Sequence, residues 1–437
     1  MPTNKIGLFV FRRDLRIHDN LGLINLCKIC DTVYCLFILD SRQIKLKSNP
    51  YFSYNSFLFM LQSLQDLKQV IPLTILDGLP HAVISEFISK HKVTHVSFNA
   101  DYTPFSIKRD NEIKQAIDKS SIRLAPIQKI QLIINNDDLC LNSPTSIKPY
   151  KVFTPYYNFA KQHAVLHPNH LTSSLLKKIK KAKSKTVILS SLIDNVKRAI
   201  GKTTTDIKLL LPGGRTSGLK LLNKFANTNC KSYKNRDMLM FETSRLGPHL
   251  KFGTVSVREV YSKCTNQIFR KQLYWRDFYL QIGYHFPRVF GSNFKNKIKW
   301  SNSKTLFAKW CKGETGFEIV DACMTQLNKS GFMHNRGRMI VASFLTKLLH
   351  IDWRWGEKYF AQKLTDYDPC NNNGGWQWSA GTGVDAQPYF RIFNPYMQQK
   401  KFDPDKQYIK KWLGNRAPIK EIINYEAERK KALHLYN

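Results

Sequence analysis

The sequence is poor in acidic residues and contains no long hydrophobic run. Of its 437 residues, 68 are Lys or Arg and only 32 are Asp or Glu, so the formal net charge is +36. Because no apolar run is long enough to span a bilayer, we expect no membrane association and a cytoplasmic protein, or a nuclear one in a eukaryotic host. The shortage of negative charge favours a polyanionic partner such as nucleic acid, although an AT-rich genome would enrich lysine in the same way.

The sequence also lacks two common ligand-binding motifs. Its nine cysteines include one closely spaced pair, Cys27 and Cys30, and no second pair of Cys or His stands at zinc-ligand spacing. Because the pair falls within an apolar helical pattern, we interpret it as part of a core and expect no metal site. No GxGxxG motif follows the first strand-like run at 6–11, which leads instead into a charged segment at 11–20. A standard dinucleotide-binding fingerprint is therefore excluded.

The first 135 residues alternate strand-like and helix-like segments. β-branched and aromatic runs of strand length lie at 6–11, 32–39, 72–76 and 93–98. Segments with helical spacing lie at 21–30, 54–67, 82–91 and 107–117. Alternating strands and helices build parallel sheets with right-handed crossovers. The sequence therefore predicts an α/β domain over 1–135, with a parallel, doubly wound sheet and helices on both faces. We expect five strands in this sheet, one more than the four runs above.

Residues 136–215 are predicted to form a long connection over the surface between two domains. They include a lysine-rich run at 176–185. We interpret this run as the solvent-facing side of a helix rather than as a specific DNA contact.

From 216 to 437 the periodicity is helical, so we predict an all-helical second domain. The apolar positions from Phe317 to Leu327 recur every three or four residues and end at Gly331, a typical C-terminal cap. All eight tryptophans lie between Trp275 and Trp412. The chemistry of this domain should therefore involve aromatic rings.

One segment of the helical domain, residues 366–378, has the composition of a pocket wall. Asp366 and Asp368 precede three asparagines, two glycines and two tryptophans, a combination typical of neither a helix nor a strand. Amides donate and accept hydrogen bonds without charge, and indole rings offer flat surfaces for stacking. Tight buried turns also combine Trp with Gly, but a turn would leave the amides and acids unexplained. We therefore predict a pocket for a planar, polar heterocycle.

Two helical faces carry side chains that suit the same kind of ligand. On a helix predicted at 334–349, one side presents Asn335, Arg338, Met339 and Ala342. On a second predicted helix, one side presents Gln272, Trp275, Arg276 and Tyr279. Buried Arg and Asn carry a large desolvation cost unless a partner satisfies them, so we expect a ligand in front of these faces. A further cluster at 243–248 supplies hydroxyls and backbone donors that suit a phosphate, or serve simply as a helix N-cap.

Seven motifs together resemble those of the photolyase/cryptochrome family. They lie at 11–20, 150–155, 243–246, 275–279, 333–336, 372–378 and 389–395. They follow the family's order, and the similarity extends from residue 6 to about 412. Within the family, the chain is most similar to the class I cyclobutane pyrimidine dimer photolyases. The resemblance implies an FAD cofactor in the helical domain and light-driven repair of pyrimidine dimers in double-stranded DNA, and we expect a monomer.

The resemblance also implies which residues bind FAD. Its phosphates and ribityl chain would contact Tyr233, Thr243, Ser244, Arg245, Leu246 and Gly247. The rest of the cofactor would be surrounded by Phe269, Arg276, Phe332, Arg338, Asp366, Asp368 and Asn372. Arg338 and Asp366 are expected to form an ion pair beside the isoalloxazine ring, and Asn372 is expected to face flavin N5.

A further set of residues is implied to bind DNA or to take part in the reaction. The implied DNA contacts are Gln272, Trp275, Asn335, Arg336, Met339, Trp378, Arg391 and Gln398. The family's chain of tryptophans that photoreduces the flavin is matched by Trp376, Trp353 and Trp300, so the catalytic set is these three with Asn372 and Gln272. In the family, excited reduced FAD donates one electron to a flipped-out dimer, whose cyclobutane bonds open before the electron returns.

Three positions depart from the dimer-photolyase pattern. Gln272 stands where these enzymes generally carry Glu, and Phe332 stands where they usually carry Trp. At the antenna site, the segment 99–106 lacks the Asn–Glu pair that grips a folate, and Ser106 takes the place of the Glu. A folate, a deazaflavin or an empty antenna site therefore all stay open.

Two alternatives to dimer repair follow from the same resemblance. One is a cryptochrome-type blue-light photoreceptor without repair activity. The other is a (6-4) photolyase, because Gln272 is similar to those enzymes and to some cryptochromes. The (6-4) enzymes need a pair of histidines where this chain has Asn335 and Met339, which counts against that alternative. Asn335, Met339 and Trp378 together favour dimer repair.

Overall fold

The N-terminal part of the chain folds around a parallel sheet. The computed structural model describes residues 4–124, 130–136, 138–202, 205–296, 298–386, 388 and 391–435. Within them, the sheet has five strands: β1 (Ile6–Phe11), β2 (Thr32–Leu39), β3 (Leu73–Asp77), β4 (His95–Asn99) and β5 (Gln131–Asn135). Their order is β3-β2-β1-β4-β5, so the chain winds outward in both directions from β1. The predicted class of this domain is confirmed.

Helices cover both faces of the sheet, because alternate residues of a strand point to opposite sides. Phe9 and Phe11 of β1 belong to one buried cluster, and Leu8 and Val10 belong to another. The helices of this region are α1 (Leu21–Ile29), α2 (Tyr54–Val70), α3 (Pro80–His91) and α4 (Pro104–Leu124). As predicted, Cys27 lies in the core, where burial raises the pKa of its thiol to about 12.

The stretch predicted as an interdomain connection is partly buried. It contains α5 (Phe153–Ala160), α6 (Ser173–Leu176) and α7 (Leu189–Gly201), and α7 packs against α2 in the core of the first domain. The helix expected at 176–185 is not formed, so that part of the prediction is wrong, whereas Lys177, Lys180, Lys181, Lys183 and Lys185 are exposed as expected. Ile179 instead pairs with Val33 beside the start of β2, and Lys178 Nζ donates to two carbonyl oxygens at the end of α1. A cation at the C-terminus of a helix is stabilising. The domain boundaries at 135 and 215 stay predictions.

The rest of the chain is helical, which confirms the predicted class of the second domain. Its helices are α8 (Arg215–Asn227), α9 (Gly247–Phe252), α10 (Val257–Lys263), α11 (Gln267–His285), α12 (Lys304–Lys312), α13 (Glu318–Ser330), α14 (Asn335–Ser343), α15 (Trp353–Lys363), α16 (Pro369–Ala380), α17 (Pro395–Phe402), α18 (Gln407–Leu413) and α19 (Tyr425–Leu435). In the described part of the chain, none of the helices has the length and apolar character needed to cross a membrane.

Two predictions of helix ends have different outcomes. α13 ends where predicted, since Gly331 follows it with a left-handed φ of 62°. The helix expected at 334–349 is shorter, because α14 stops at Ser343 and a π-helical turn, Phe344–Leu348, follows it. In the predicted motif at 389–395, Tyr389 and Phe390 lie outside the described residues.

The segment expected to be neither helix nor strand forms α16, so that prediction is wrong. Asp368 caps the start of α16 by accepting a hydrogen bond from Asn371 N at 3.0 Å, and Pro369 occupies the first turn. Gly374 allows the helix to approach Tyr279 closely, since a Cβ on Gly374 would lie 2.0 Å from that ring. Capping and close packing together outweigh the low helix propensity of amides and glycines.

Candidate functional site

A cavity of about 360 Å³ lies between α11, α14 and α16. Both predicted helical faces and much of the predicted pocket wall meet there. The predicted residues that line it are Gln272, Trp275, Arg276, Tyr279, Asn335, Arg338, Met339, Ala342, Asp366, Asp368, Asn372, Trp376 and Trp378. The fold thus brings three separate segments of the sequence together around one space.

The predicted ion pair between Arg338 and Asp366 is present at the wall of this cavity. Arg338 Nη2 donates to the two carboxylate oxygens of Asp366 at 3.1 and 2.9 Å. Arg338 Nε donates to the carbonyl oxygen of Met333 at 2.8 Å. Because the guanidinium is held by both the carboxylate and the backbone, its plane is fixed before any ligand binds.

Asp368 is held by groups from both parts of the molecule. Arg13, which follows β1, forms ion pairs with Asp368 and with Asp101. Asn371 Nδ2 donates to Asp368 at 2.9 Å. Burial alone would raise the pKa of Asp368, but Arg13 and Arg276 and the hydrogen bonds from Asn371 hold it well below its ordinary value. The cavity therefore contains a carboxylate that stays ionised at neutral pH.

Asn372 presents an amide to the cavity that no other described residue uses. Its Nδ2 atom is buried and has no hydrogen-bond partner among the described residues. One turn later, Gly375 borders open space, since a Cβ added there would meet no atom within 4 Å. An unused buried donor beside an open helix face fits the polar edge of a planar ring such as the isoalloxazine of FAD.

The hydroxyl-rich cluster at 243–247 lies beside a second cavity, of about 320 Å³. Thr243, Arg245 and Phe332 are among the residues that line it. Arg245 adopts a left-handed φ of 50°, and its guanidinium lies 5.4 Å from the centre of the Phe332 ring. The guanidinium of Arg338 lies 5.7 Å from the same ring. Phe332 therefore contacts an arginine from each cavity, so the cluster lies next to the first cavity.

Three other residues predicted to contact FAD lie in or behind these walls. Gly247 packs against Asp366, where an added Cβ would come within 2.5 Å of a carboxylate oxygen. Tyr233 and Phe269 are buried with ring centres 5.1 Å apart, in a cluster that includes Leu246. Tyr233 and Phe269 are not among the residues that line either cavity, so they support the loop at 243–247 from behind.

Three residues predicted to contact DNA are not among those that line the first cavity. Arg336 forms an ion pair with Asp237 at 3.0 Å. Arg391 is exposed before α17, and Gln398 is half-buried on α17. Their predicted role in DNA binding stays a prediction.

The tryptophans expected to carry electrons lie in one region. Trp376 and Trp353 belong to the same buried cluster, and Trp300 packs against it. Trp376 also lines the cavity, and its ring centre lies 4.9 Å from that of Phe360 and 6.2 Å from that of Trp310. Trp310 was not singled out from the sequence, where membership of the tryptophan-rich region was its only distinguishing feature.

The predicted antenna segment borders a larger cavity, of about 760 Å³, between the sheet and the helical domain. Ser106 lines this cavity and donates to Asp101 Oδ2 at 3.0 Å. Thr103 Oγ1 donates to Ser106 Oγ at 2.9 Å. Ser106, which is expected at the position of the folate-binding Glu, is therefore already hydrogen-bonded to residues of its own loop.

Most residues that line this larger cavity are not predicted from the sequence. The guanidinium of Arg42 lies over the ring of Phe105, and Tyr51 stacks on Tyr367 from the helical domain. Burial lowers the pKa of Lys251, which also lines the cavity, to about 7. These residues come from four separate segments, and no local pattern in the sequence connects them.

Comparison with known proteins agrees with this architecture. Residues 8–173 match the family model described as DNA photolyase, and residues 269–435 match the FAD binding domain of DNA photolyase. The chain is 32% identical to the deoxyribodipyrimidine photo-lyase of Synechococcus, over 98% of this chain and 96% of the relative. It is 34% identical to the deoxyribodipyrimidine photo-lyase of Alkalihalophilus pseudofirmus, over 92% and 86% of the two chains.

A solved structure gives the same answer at the level of the fold. The crystal structure of an archaeal photolyase from Sulfolobus tokodaii, which contains two FAD molecules, matches with a TM-score of 0.86 and 36% identity. The match covers 99% of each chain. The chain therefore belongs to the DNA photolyase family. The predicted family, fold class and FAD cofactor are confirmed.

Proposed function

We propose that this protein is a deoxyribodipyrimidine photo-lyase, a light-driven enzyme that splits cyclobutane pyrimidine dimers in DNA. One observation carries the proposal. The Arg338–Asp366 pair and the unused amide of Asn372, which suit a flavin, line the same 360 Å³ cavity as the indoles of Trp275 and Trp378, which suit bases. A flavin and an extruded lesion would therefore meet in one cavity.

The residues of the chain bind and orient the reacting groups. Bound FAD would supply the light-driven donation of one electron to the dimer, with no net redox change. Asn372 would hydrogen-bond the ring edge near N5, and the rigid Arg338–Asp366 pair would lie beside the ring. The cluster at 243–247 would hold the phosphates through its hydroxyls and backbone N–H groups.

Residues at the mouth of the cavity would recognise the lesion. Trp275 and Trp378 would stack on the pyrimidines of a dimer, which is cheaper to extrude than an intact pair because it is already poorly stacked. Gln272 would offer a neutral hydrogen bond to a thymine carbonyl. We also propose Trp376, Trp353 and Trp300 as the route by which electrons reach the flavin.

Two rival functions are weaker. A (6-4) photolyase would need histidines at the positions of Asn335 and Met339, which line the cavity as an amide and a thioether. A cryptochrome-type photoreceptor would need a flavin but no lesion pocket. The open, aromatic mouth formed by Trp275 and Trp378 favours repair over signalling.

We further propose that the 760 Å³ cavity binds a light-harvesting chromophore. Its aromatic and guanidinium walls suit a flat ring system. The Sulfolobus tokodaii structure, with two FAD molecules and a proposed novel light-harvesting cofactor, favours a second flavin over a folate or a deazaflavin. The FAD content per chain, measured after denaturation, tests this: about two FAD per chain supports it, and one FAD with a folate or deazaflavin released contradicts it.

The partner and location follow from the same function. We propose that the protein acts as a cytoplasmic monomer, or a nuclear one in a eukaryotic host, on double-stranded DNA containing dimers. With a net charge of +36, its binding to DNA through phosphates should weaken steeply with salt, because bound counterions are released.

The decisive experiment is repair of a defined lesion by purified protein. We would reduce the protein under anaerobic conditions, add an oligonucleotide with one thymine dimer, illuminate it, and separate the products by chromatography. We expect restored thymines in the light and none in the dark. Bound FAD without restored thymines would favour the photoreceptor function. Protein that neither retains FAD nor takes it up would overturn the whole proposal.

A further inference from the structure

The motif at 150–155 has no part in the site described above, but its phenylalanine lies directly behind the proposed lesion-binding surface. Phe153 opens α5, where its backbone N–H donates to Asp385 Oδ2 at 3.1 Å. Its side chain is 2% exposed and belongs to a buried cluster between α5 and α11. Both the backbone and the ring of Phe153 are therefore fixed.

Phe153 covers one face of the Trp275 indole. The two ring centres lie 3.6 Å apart, and the ring planes are within 5° of parallel. Phe278 meets the same indole at 90°, with ring centres 5.6 Å apart. Because Trp275 is stacked on one side and packed at an edge, it cannot rotate without losing these contacts. Trp275 also lines the 360 Å³ cavity, where Tyr279 packs beside it with ring centres 5.8 Å apart.

Two other side chains pack around the ring of Phe153. Tyr157 lies 5.8 Å away with its ring within 15° of parallel, and Lys271 Nζ lies 5.7 Å from the Phe153 ring centre. Phe153 is not among the residues that line the cavity. Phe153 can therefore influence a ligand in the cavity only through its contact with Trp275.

We propose that Phe153 is a positioning residue that sets the preference for damaged DNA by holding Trp275 ready to stack on an extruded pyrimidine. The inference rests on the proposed lesion-binding role of Trp275. An indole free to rotate must be ordered at each binding event, which lowers the apparent affinity, whereas a stacked indole is already in place. Undamaged DNA, bound through its phosphates, gains nothing from this arrangement.

The test replaces the flat ring and measures two affinities. Phe153→Leu should weaken binding of a dimer-containing oligonucleotide by about threefold to tenfold, the range expected for ordering one side chain. Binding of the undamaged oligonucleotide and the FAD content should be unchanged. Phe153→Tyr keeps a flat ring and should restore the preference. Phe159→Leu, which removes another ring of α5 that packs against Tyr150 and His163 rather than against Phe153 or Trp275, should leave the preference intact.

A second pair of variants separates this inference from the proposed function. In a Trp275→Ala background, Phe153→Leu should cause no further loss of dimer binding, because Phe153 acts only through the indole. An equal loss in both backgrounds, or an equal loss for damaged and undamaged DNA, would overturn the inference. If Trp275→Ala itself keeps the dimer preference, the proposed lesion site has failed instead. Should Phe153→Leu lose FAD, Phe153→Met replaces it in the same measurements.

Discussion

The side chains that line the 360 Å³ cavity differ in how firmly hydrogen bonds hold them before a ligand binds. Arg338 is fixed by a carboxylate and a carbonyl, whereas Gln272 donates only one long hydrogen bond, at 3.3 Å, to the carbonyl oxygen of Ile268 on its own helix. A bond of that length is weak. Gln272 can therefore turn toward a bound lesion at little cost, and it is the position where a single substitution should change the reaction most selectively.

We expect Gln272→Glu to raise the yield of repair per absorbed photon. A protonated Glu can share its proton with the pyrimidine carbonyl on which negative charge develops during splitting, whereas Gln offers only a neutral hydrogen bond. The affinity for the dimer should change by less than about threefold, since the gain arises in the reaction rather than in binding. Repair yield and dimer affinity are measured on reduced protein. Gln272→Leu, which removes the hydrogen bond, should lower the yield. A Glu variant with a lower yield and full FAD content would show that the site is adapted to glutamine.

Helix α16 combines a tightly packed face with an open one. Gly374 touches the ring of Tyr279 on α11, and Gly375, the next residue, lines the 360 Å³ cavity. The two glycines therefore serve different purposes: the first permits helix packing, and the second leaves room for a ligand. Because they are neighbours with the same helix propensity, they form a matched pair for substitution.

Gly375→Ala should stabilise the FAD-free protein and weaken FAD binding. Alanine is favoured over glycine inside a helix by about 0.5–1 kcal/mol, and the added methyl group meets no protein atom. Gly374→Ala should instead destabilise the protein by about 1–3 kcal/mol or more, because its methyl group would overlap the Tyr279 ring. Thermal unfolding and FAD content are measured for both variants. Full FAD affinity in a stable Gly375→Ala variant would show that the cofactor does not approach this face.

The sheet and the helical domain are joined by buried charge. Arg13 reaches from the end of β1 to Asp368 at the start of α16, and its other partner, Asp101, borders the larger cavity. Both carboxylates have pKa values held below their ordinary range, because opposing charges outweigh the effect of burial. Arg13 therefore contacts a wall residue of each cavity. Its loss should lower the stability of the whole molecule.

Arg13→Gln should lower the free energy of unfolding by about 3–5 kcal/mol at pH 7, because it leaves a buried carboxylate without its partner. With Arg13 present, the depressed pKa of Asp368 gives stability that is complete above an aspartate's ordinary pKa of about 3.9 and is lost as the pH falls below it. The deficit of the variant should therefore be constant from pH 7 to about 4 and should shrink as the pH is lowered further.

Urea unfolding between about pH 2 and pH 7 measures this difference. The control is Lys224→Gln, which breaks an exposed ion pair with Glu242 and should cost no more than about 1 kcal/mol. A deficit for Arg13→Gln that does not vary with pH would mean that Asp368 does not carry it.

Local patterns in the sequence determined those strands and helices that are buried either on one face or on all faces. β1 and β2 begin and end where their apolar runs do, and α13 ends at Gly331 as its spacing indicates. Such patterns are readable because they depend on residues a few positions apart. The seven motifs between residues 11 and 395 likewise sufficed, taken together, to predict the family and its FAD cofactor.

Only the tertiary structure decided which surfaces meet. The amide- and glycine-rich segment becomes α16 because a cap and the Tyr279 ring hold it, and the lysine-rich run at 176–185 is held against β2 and α1. The stacking of Phe153 on Trp275 joins residues that are far apart in the sequence. Such contacts depend on how complete faces of helices and sheets pack, and no short stretch of sequence contains that information.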